Sequence, residues 1–357
     1  MRERFHLLDV ARGIAAFTVV LWHYQHFWFI APLTLPDDFV RQREPWYRAL
    51  SWAYDYGFEA VQLFFVLSGY IFFAVYLDAI RERRVDLRAF FVFRLSRLYP
   101  LYVVTLLFCA AGQLAARGMG GEDIVYNCND ARHFVMHLLM AAQGGLGEAP
   151  CMSFNGPVWS VSVEMLLYAV FFGFALVAPR GRVMRVAVVV GVMGVVWVSR
   201  SIDNFAQPLL GFFLGGLVFV LGRPALTGAA LVAGAASLYA AAGASDAVLT
   251  GAYGGVIALL VAVQRARPEA GTSGQVLGDV SYSVYLLHFP VQIAMILLTR
   301  MGVLRLRYEQ VWVLAGFLAV TFGLGMLSYY RFERPMQGWI RRRWLGEVRG
   351  HAKMATS

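Results

Sequence analysis

Two ionisable residues in the first apolar stretch of the sequence have a spacing that suits a long ligand. Residues 7–30, LLDVARGIAAFTVVLWHYQHFWFI, exceed the 20 or so residues that cross a bilayer, yet they contain Arg12 and His23. Ionisable side chains at membrane depth are costly and usually mark a functional site. At roughly 100° and about 1.5 Å per residue, the two side chains leave one helix face about 16 Å apart. This spacing predicts a ligand with its anionic end at Arg12 and its reactive end at His23. The structural alternative is that Arg12 only pairs with Asp9 and that His23 only bonds within a bundle.

The composition is that of an all-α membrane protein with many spans. Of the 357 residues, 59% are hydrophobic and only 15% are charged, and the mean hydropathy is +0.59. A soluble domain would carry about a quarter charged residues. The apolar stretches predict a polytopic bundle of about ten transmembrane helices, at residues 7–30, 53–77, 98–116, 159–178, 186–199, 208–222, 225–243, 247–264, 278–299 and 310–330.

The distribution of basic residues predicts that both termini are cytoplasmic. With these spans, 21 Lys and Arg flank the side that carries the termini, and 9 flank the other side. Basic residues are concentrated in cytoplasmic loops of membrane proteins. The net charge of +9 is therefore explained by membrane-flanking loops next to lipid, and we expect no nucleic-acid partner.

We predict one membrane domain at residues 1–345, a short cytoplasmic tail at 346–357, and no separate extracytoplasmic domain. The loop at 117–158 would face outward, with an apolar piece at 133–142 that is too short to span and is re-entrant or interfacial. Cys128 and Cys151 in this loop are compatible with a disulfide in an oxidising compartment, and equally with two reduced thiols.

Two further groups of charged residues extend the site predicted on the first span. Glu164 enters the fourth span from outside and lies at about the depth of His23, so it could fix the tautomer of that imidazole or raise its basicity. Arg94 and Arg97 lie at the cytoplasmic start of the third span, at the Arg12 end of the molecule. Three guanidiniums there would suit phosphates, although such arginines also occur as ordinary cytoplasmic flanks.

The ninth span carries a polar stripe that could be structural or catalytic. Its members are Asp279, Ser281, Tyr282, Ser283, Tyr285 and His288. Near the end of the tenth span, Glu333 is expected to pair with a flanking arginine. We predict no metal site, because His133 and His137 are separated only by Phe-Val-Met and lack the glutamate of an HExxH motif.

Five short motifs, in order along the chain, resemble those of the acyltransferase-3 family of integral membrane acyltransferases. Arg12 and His23 match the R-x10-H signature of that family. The other four are FFVLSGYIF at 64–72, the pair Arg94-x-x-Arg97, WSVSVE at 159–164 and SYSVYLLH at 281–288. The resemblance covers essentially the whole chain, and the ten spans and cytoplasmic termini that it implies agree with the charge count.

The resemblance implies a bacterial inner-membrane enzyme that moves an acyl group, most often acetyl, from cytoplasmic acyl-CoA to a carbohydrate hydroxyl. Acceptors in the family include lipopolysaccharide and exopolysaccharide. Acyl-CoA would be a co-substrate, with no permanently bound cofactor. Some members add an extracytoplasmic hydrolase-like domain, which we do not expect here.

The resemblance and the spacing together give each candidate residue a role. Arg12, Arg94 and Arg97 would bind the donor phosphates. His23, supported by Glu164, would be the general base or would carry an acyl-histidine intermediate, and Asp9 would orient Arg12. Candidates to line the channel or stabilise the oxyanion are Tyr282, Ser283, Tyr285, His288 and Ser160.

A transporter or flippase for a lipid-linked sugar or small amphiphile is the alternative prediction. It would use the same polar residues as a translocation path. Transporters often contain paired, interrupted hydrophobic segments in two related halves, and the sequence has no such symmetry. The aligned Arg12 and His23 are also more easily explained by a donor that stays bound.

Overall fold

The computed structural model describes residues 5–29, 34–142, 151–199 and 203–346, and over these residues the chain forms helices and no β-strand. The all-α prediction is therefore confirmed. In chain order the helices are α1 His6–Trp22, α2 Tyr47–Tyr56, α3 Ala60–Arg81, α4 Leu87–Gly118, α5 Ala131–Leu138, α6 Trp159–Val177, α7 Arg182–Ser199, α8 Asp203–Leu221, α9 Pro224–Ala242, α10 Asp246–Ala266, α11 Gln275–Arg300, α12 Val311–Ser328 and α13 Arg334–Leu345.

Each of the ten predicted spans overlaps one long helix, namely α1, α3, α4, α6, α7, α8, α9, α10, α11 or α12. Eight helical segments within the described residues are long and apolar enough to cross a membrane, and Phe205–Leu221 of α8 is a shorter apolar helix. The protein is thus a polytopic helical membrane protein. Ten spans and cytoplasmic termini stay predictions.

The first span changes its helical geometry at His23. The α-helix α1 ends at Trp22, and residues His23–Trp28 continue as a 3-10 helix. The α-helical spacing assumed between Arg12 and His23 therefore holds as far as Trp22. From His23 onward the side chains follow the tighter turn of a 3-10 helix. α1 packs mainly against α11 and α3.

The third span is longer than predicted, because the basic segment before it is helical too. α4 begins at Leu87, and the carboxylate of Asp86 caps it by accepting the Ala89 backbone N–H at 2.7 Å. This cap satisfies a backbone donor that would otherwise have no partner at the start of the helix. Arg94 and Arg97 consequently lie two turns or more inside a helix rather than in a loop.

α3 is the central helix of the bundle, and aromatic side chains fill the space around it. Phe72 of α3 stacks on Tyr168 of α6 with ring centroids 4.6 Å apart. The backbone of α3 approaches that of α8 closely at Gly69, because a Cβ on this residue would lie 1.8 Å from the carbonyl oxygen of Phe212. Small residues allow such contact between membrane helices.

Cys128 and Cys151, which flank α5, form a disulfide, one of the two alternatives that the sequence left open. The apolar piece at 133–142 contains the eight-residue helix α5, which is too short to span a bilayer. His137 of α5 is bonded to the hydroxyls of Tyr102 and Ser153, and burial lowers the pKa of His137 to about 4.

The last helices place the end of the described chain against α4. Between α12 and α13, residues Tyr329–Glu333 form one turn of π-helix, a geometry that often occurs at functional sites. α13 then packs against α4. The predicted tail at 346–357 lies, apart from Gly346, outside the described residues.

Candidate active site

Two cavities inside the bundle meet at a ring of three arginines. The smaller, of about 100 Å³, lies among α1, α3, α4, α6 and α11, and the larger, of about 590 Å³, lies among α1, α3, α4, α11 and α13. Arg12, Arg94, Arg97 and Tyr282 line both cavities. The structure therefore places these three arginines, from α1 and α4, around the same cavities.

Each arginine of this ring is fixed differently. Arg12 donates to the carboxylate of Asp9 at 3.1 Å, which is the i to i+3 pair expected from the sequence. Arg94 is buried, donates to the Tyr76 hydroxyl, and lies 5.1 Å from the centroid of the Phe72 ring. Arg97 is half-buried and has no hydrogen-bond or salt-bridge partner among the described residues. Guanidinium donors therefore remain available to an anion.

The structure does not pair Glu164 with His23, which corrects the expectation drawn from their matched depth. The Glu164 carboxylate accepts a hydrogen bond from the Tyr168 hydroxyl and lies 3.5 Å from the Ser68 hydroxyl, and it lines the smaller cavity with the arginines. Depth along a bilayer fixes one coordinate only. The azimuth of α6 turns Glu164 toward α3 and the arginine ring.

At its other end the smaller cavity is lined by two hydroxyls. Ser160 of α6 and Tyr285 of α11 are 2.8 Å apart, and the Tyr285 hydroxyl donates to the carbonyl of Pro157. Apolar side chains, including Phe64 and Phe65 of α3, line the wall between these hydroxyls and the arginines. The smaller cavity is therefore an apolar channel with cations at one mouth and neutral hydroxyls at the other.

His23 lies beyond the hydroxyl end of this channel, in a cluster of three buried histidines. The ring centroid of His23 is 4.8 Å from those of both His26 and His288. His288 in turn lies 5.8 Å from the Tyr285 ring, which lines the cavity. His23 lines neither of the two cavities.

The hydrogen bonds of these imidazoles indicate their tautomers. His23 Nδ1 lies 2.9 Å from the carbonyl oxygen of Val19, and His288 Nδ1 lies 2.6 Å from that of Tyr285. Because a carbonyl can only accept, Nδ1 carries the hydrogen in both rings and Nε2 holds a lone pair. Nε2 of His288 has no hydrogen-bond partner among the described residues. A buried imidazole with a free lone pair can accept a proton from a substrate.

Two of the remaining predicted residues, Tyr282 and Ser283, bond α11 to other segments, and Ser281 bonds within α11. The Tyr282 hydroxyl donates to the carbonyl of Leu98 at 2.7 Å, and Ser281 donates to Gly278 within α11. Ser283 donates to Glu333, which also accepts from Ser328. Glu333 thus binds two serines, and the expected salt bridge to a flanking arginine is wrong. Asp279 and Glu333 line the larger cavity.

Sequence reasoning missed several residues of the site. Tyr168 could have been found, because it follows Glu164 by four residues on one helix face. Tyr76, Ser68 and Arg341 carry no such signal, since their partners lie on other helices. Arg341, for example, donates to Ser96, which is 245 residues away along the chain.

The comparison with known families assigns the chain to one of them. The acyltransferase-3 family, described as an acyltransferase domain, matches residues 5–330. The chain therefore belongs to the acyltransferase-3 family and is a membrane acyltransferase. No solved structure matches it significantly.

Three relatives show what the chain is similar to. A membrane-bound transacylase named BcsY, from Komagataeibacter xylinus, is 28% identical over 305 residues, which are 78% of this chain and 76% of the relative. The exopolysaccharide production protein ExoZ of Rhizobium meliloti is 26% identical over 304 residues, covering 78% and 89%. Protein 2 in the picA locus of Rhizobium radiobacter is 28% identical over 206 residues, covering 54% and 93%.

Proposed function

We propose that this protein transfers an acyl group, most simply acetyl, from cytoplasmic acyl-CoA to a hydroxyl of a surface or secreted polysaccharide in the bacterial inner membrane. The observation that carries this proposal is the pair of cavities that meet at Arg12, Arg94 and Arg97. One cavity is wide and rich in charge, and the other is narrow and mostly apolar. This pairing matches an extended donor with a charged nucleotide and a thin, uncharged arm.

The nucleotide would occupy the larger cavity and the pantetheine arm the smaller one. A volume of about 590 Å³ falls within the 300–1,000 Å³ or so that small-molecule sites usually have. The diphosphate would lie at the arginine ring, because guanidiniums bind phosphates through charge-assisted hydrogen bonds. The arm would then run along α1 for about 16 Å, from Arg12 toward His23.

The chemistry needs a base for the acceptor and donors for the developing oxyanion. The lone pair on Nε2 of His23 would take the proton of the sugar hydroxyl while the sugar oxygen attacks the thioester carbonyl carbon. The carbon–sulfur bond then breaks, the acyl ester forms, and the protonated His23 returns the proton to the CoA thiolate. The Ser160 hydroxyl would donate to the oxyanion, and Tyr285, whose hydroxyl proton is donated to Pro157, would line the channel beside it. An acyl group carried on His23 is a two-step variant of the same chemistry.

The polysaccharide acceptor is proposed from the relatives. ExoZ is named for exopolysaccharide production, and BcsY is named as a transacylase. Membership of an acyltransferase family also disfavours the transporter alternative. In this proposal Glu164 acts at the arginine ring, where its carboxylate balances part of the positive charge, rather than as a partner of His23.

The direct test is calorimetric titration of acetyl-CoA into the detergent-purified protein, combined with transfer of labelled acetyl to a polysaccharide fraction of the host. We expect saturable binding and acceptor-dependent label transfer. A protein that binds neither acetyl-CoA nor longer acyl-CoAs would contradict the donor assignment. Binding of a lipid-linked sugar without acyl transfer would instead favour the transporter.

A further inference from the structure

Part of the wall of the larger cavity is formed by α13, a helix that the proposed mechanism does not use. Arg334 and Arg341 of α13 line this cavity and do not line the smaller one. They face it together with Arg265 and the three arginines of the ring. Six arginines thus surround one cavity, against three carboxylates, Asp9, Asp279 and Glu333. The excess of positive charge predicts a ligand with more negative charge than one diphosphate.

Arg341 is held rigidly, although it comes from the far end of the chain. Its Nε donates to the hydroxyl of Ser96 at 3.1 Å, and its guanidinium lies 5.5 Å from the centroid of the Phe93 ring. Ser96 and Phe93 belong to the turn of α4 that carries Arg94 and Arg97. At the end of α13, Arg88 donates to the carbonyl of Trp344 at 2.8 Å and ties the helix to α4. A planar guanidinium fixed in this way is suited to a phosphate dianion.

The order of groups along CoA assigns a ligand to these two arginines. From the thioester outward come the pantetheine arm, the diphosphate, the ribose and the 3′-phosphate on that ribose. Resting on the donor site proposed above, we propose that Arg341 and Arg334 bind the 3′-phosphate of the CoA nucleotide. The ring at the mouth of the smaller cavity takes the diphosphate, so the arginines confined to the larger cavity lie where the ribose phosphate must be. A phosphate monoester there carries a charge of about −1.5 to −2 at pH 7.

This assignment gives α13 a role in specificity. The protein would distinguish acetyl-CoA from acetyl-dephospho-CoA, which lacks only the 3′-phosphate. The preference for the 3′-phosphate would come from contacts with α13. This helix is joined to α4 by the hydrogen bonds of Arg88 and Arg341.

The test compares the two donors in the purified, full-length protein. Calorimetry should show that wild type binds acetyl-CoA about tenfold to hundredfold more tightly than acetyl-dephospho-CoA, as expected for charge-assisted contacts. In Arg341→Gln the affinity for acetyl-CoA should fall to that for acetyl-dephospho-CoA, while the affinity for the latter changes less than about twofold. Arg334→Gln should reduce the preference in part. Arg343→Gln, on an exposed position of the same helix, is the matched control and should keep the full preference.

Other outcomes separate this inference from the proposed function. If wild type binds both donors equally, the 3′-phosphate assignment is wrong but the donor site stands. If Arg341→Gln weakens both donors by the same factor, Arg341 supports the fold or binds an anionic lipid, and the assignment is again wrong. If wild type binds neither donor, the proposed function itself fails. Retention of the wild-type thermal unfolding midpoint would show that a loss of preference in Arg341→Gln is not a loss of fold.

Discussion

The two ends of α1 differ in what surrounds them. At the Arg12 end, three cations from α1 and α4 face open volume in two cavities. At the His23 end, the rings of His23, His26 and His288 pack against one another and against aromatic side chains, and the His23 side chain is 5% exposed. One end of the same helix borders open cavities lined by cations, and the other is a packed core.

This difference indicates how binding and chemistry are divided along the helix. An anion can enter the arginine end without rearrangement, because the guanidiniums are already positioned by Asp9 and Tyr76. At the histidine end an acyl group has to pass Tyr285 and His288, whose rings lie between the smaller cavity and His23. Substitutions at the two ends should therefore change different kinetic constants.

The largest expected effect comes from His23→Ala. Removal of the proposed base should lower the turnover of acyl transfer by about 10²- to 10⁴-fold, the usual contribution of general-base catalysis. The dissociation constant for acetyl-CoA should change less than about threefold, because the phosphates bind at the other end. Transfer of labelled acetyl and calorimetry measure the two quantities on the same preparation.

A matched substitution at the neighbouring ring controls for loss of packing. His26→Ala opens a similar space beside His23, but His26 Nε2 lies 3.5 Å from the Tyr126 hydroxyl and His26 lines neither cavity. We expect a much smaller loss of turnover than in His23→Ala. Wild-type turnover in a folded His23→Ala protein would remove His23 from the mechanism.

The next largest effect is expected at the arginine end, from Arg97→Gln. Arg97 has no hydrogen-bond or salt-bridge partner in the part of the chain that the structure describes, so its removal leaves no buried group unsatisfied there. The dissociation constant for acetyl-CoA should rise about tenfold to hundredfold, with turnover at saturating donor nearly unchanged. Arg117→Gln, at the other end of the same helix and outside the two cavities, should leave the dissociation constant near that of wild type. A fall in turnover without a change in donor affinity would contradict the division between the two ends.

The sequence predicts the arginine end better than the histidine end, and the reason is geometric. Arg12, Arg94 and Arg97 can be placed together because charge bias sets their side of the membrane and helix periodicity sets their depth. The partner of Glu164 depends on how α6 is rotated against α3, which depth does not determine. The contribution of Arg341 depends on how α13, which follows the π-helical turn at Tyr329–Glu333, packs against α4, and contacts between such distant parts of the chain have no reliable sequence pattern.

A third prediction concerns the contact that places Arg12 beside α11. A Cβ on Gly278 would lie 2.5 Å from Cβ of Asp9, so Gly278→Ala forces α1 and α11 apart. Overpacking of this kind costs about 1–3 kcal/mol, and it should also move the Asp9–Arg12 pair. We expect a lower thermal unfolding midpoint and a severalfold weaker affinity for acetyl-CoA.

The control for this substitution is another helical glycine of the bundle. A Cβ on Gly316 of α12 meets nothing within 4 Å, so Gly316→Ala should leave both the unfolding midpoint and the donor affinity unchanged or slightly improved. If Gly278→Ala behaves like Gly316→Ala, the close contact does not control the arginine end.

The smallest effect is expected from the segment between α1 and α2 that carries Arg41 and Glu44 and contacts Gln25 near the histidine end. Burial raises the pKa of Glu44 to about 8, although Arg41 lies 3.6 Å from its carboxylate. Arg41 also donates to Gln25, which belongs to the 3-10 segment His23–Trp28. Because the folded state prefers protonated Glu44, its contribution to stability is complete below the ordinary value of 4.5 and is lost as the pH rises through about 8.

Between pH 6 and pH 9 the thermal unfolding midpoint of wild type should therefore fall by several degrees more than that of Glu44→Gln, which cannot ionise. Asp38→Asn, on an exposed side chain of the same loop, should follow wild type. If loosening of this loop reaches Gln25, the turnover of wild type should also fall over this pH range relative to Glu44→Gln, with equal donor affinity in the two proteins. Glu44 lies at the end of α1 opposite to the arginine ring. If donor affinity changes with pH in wild type but not in Glu44→Gln, the two ends of α1 are coupled.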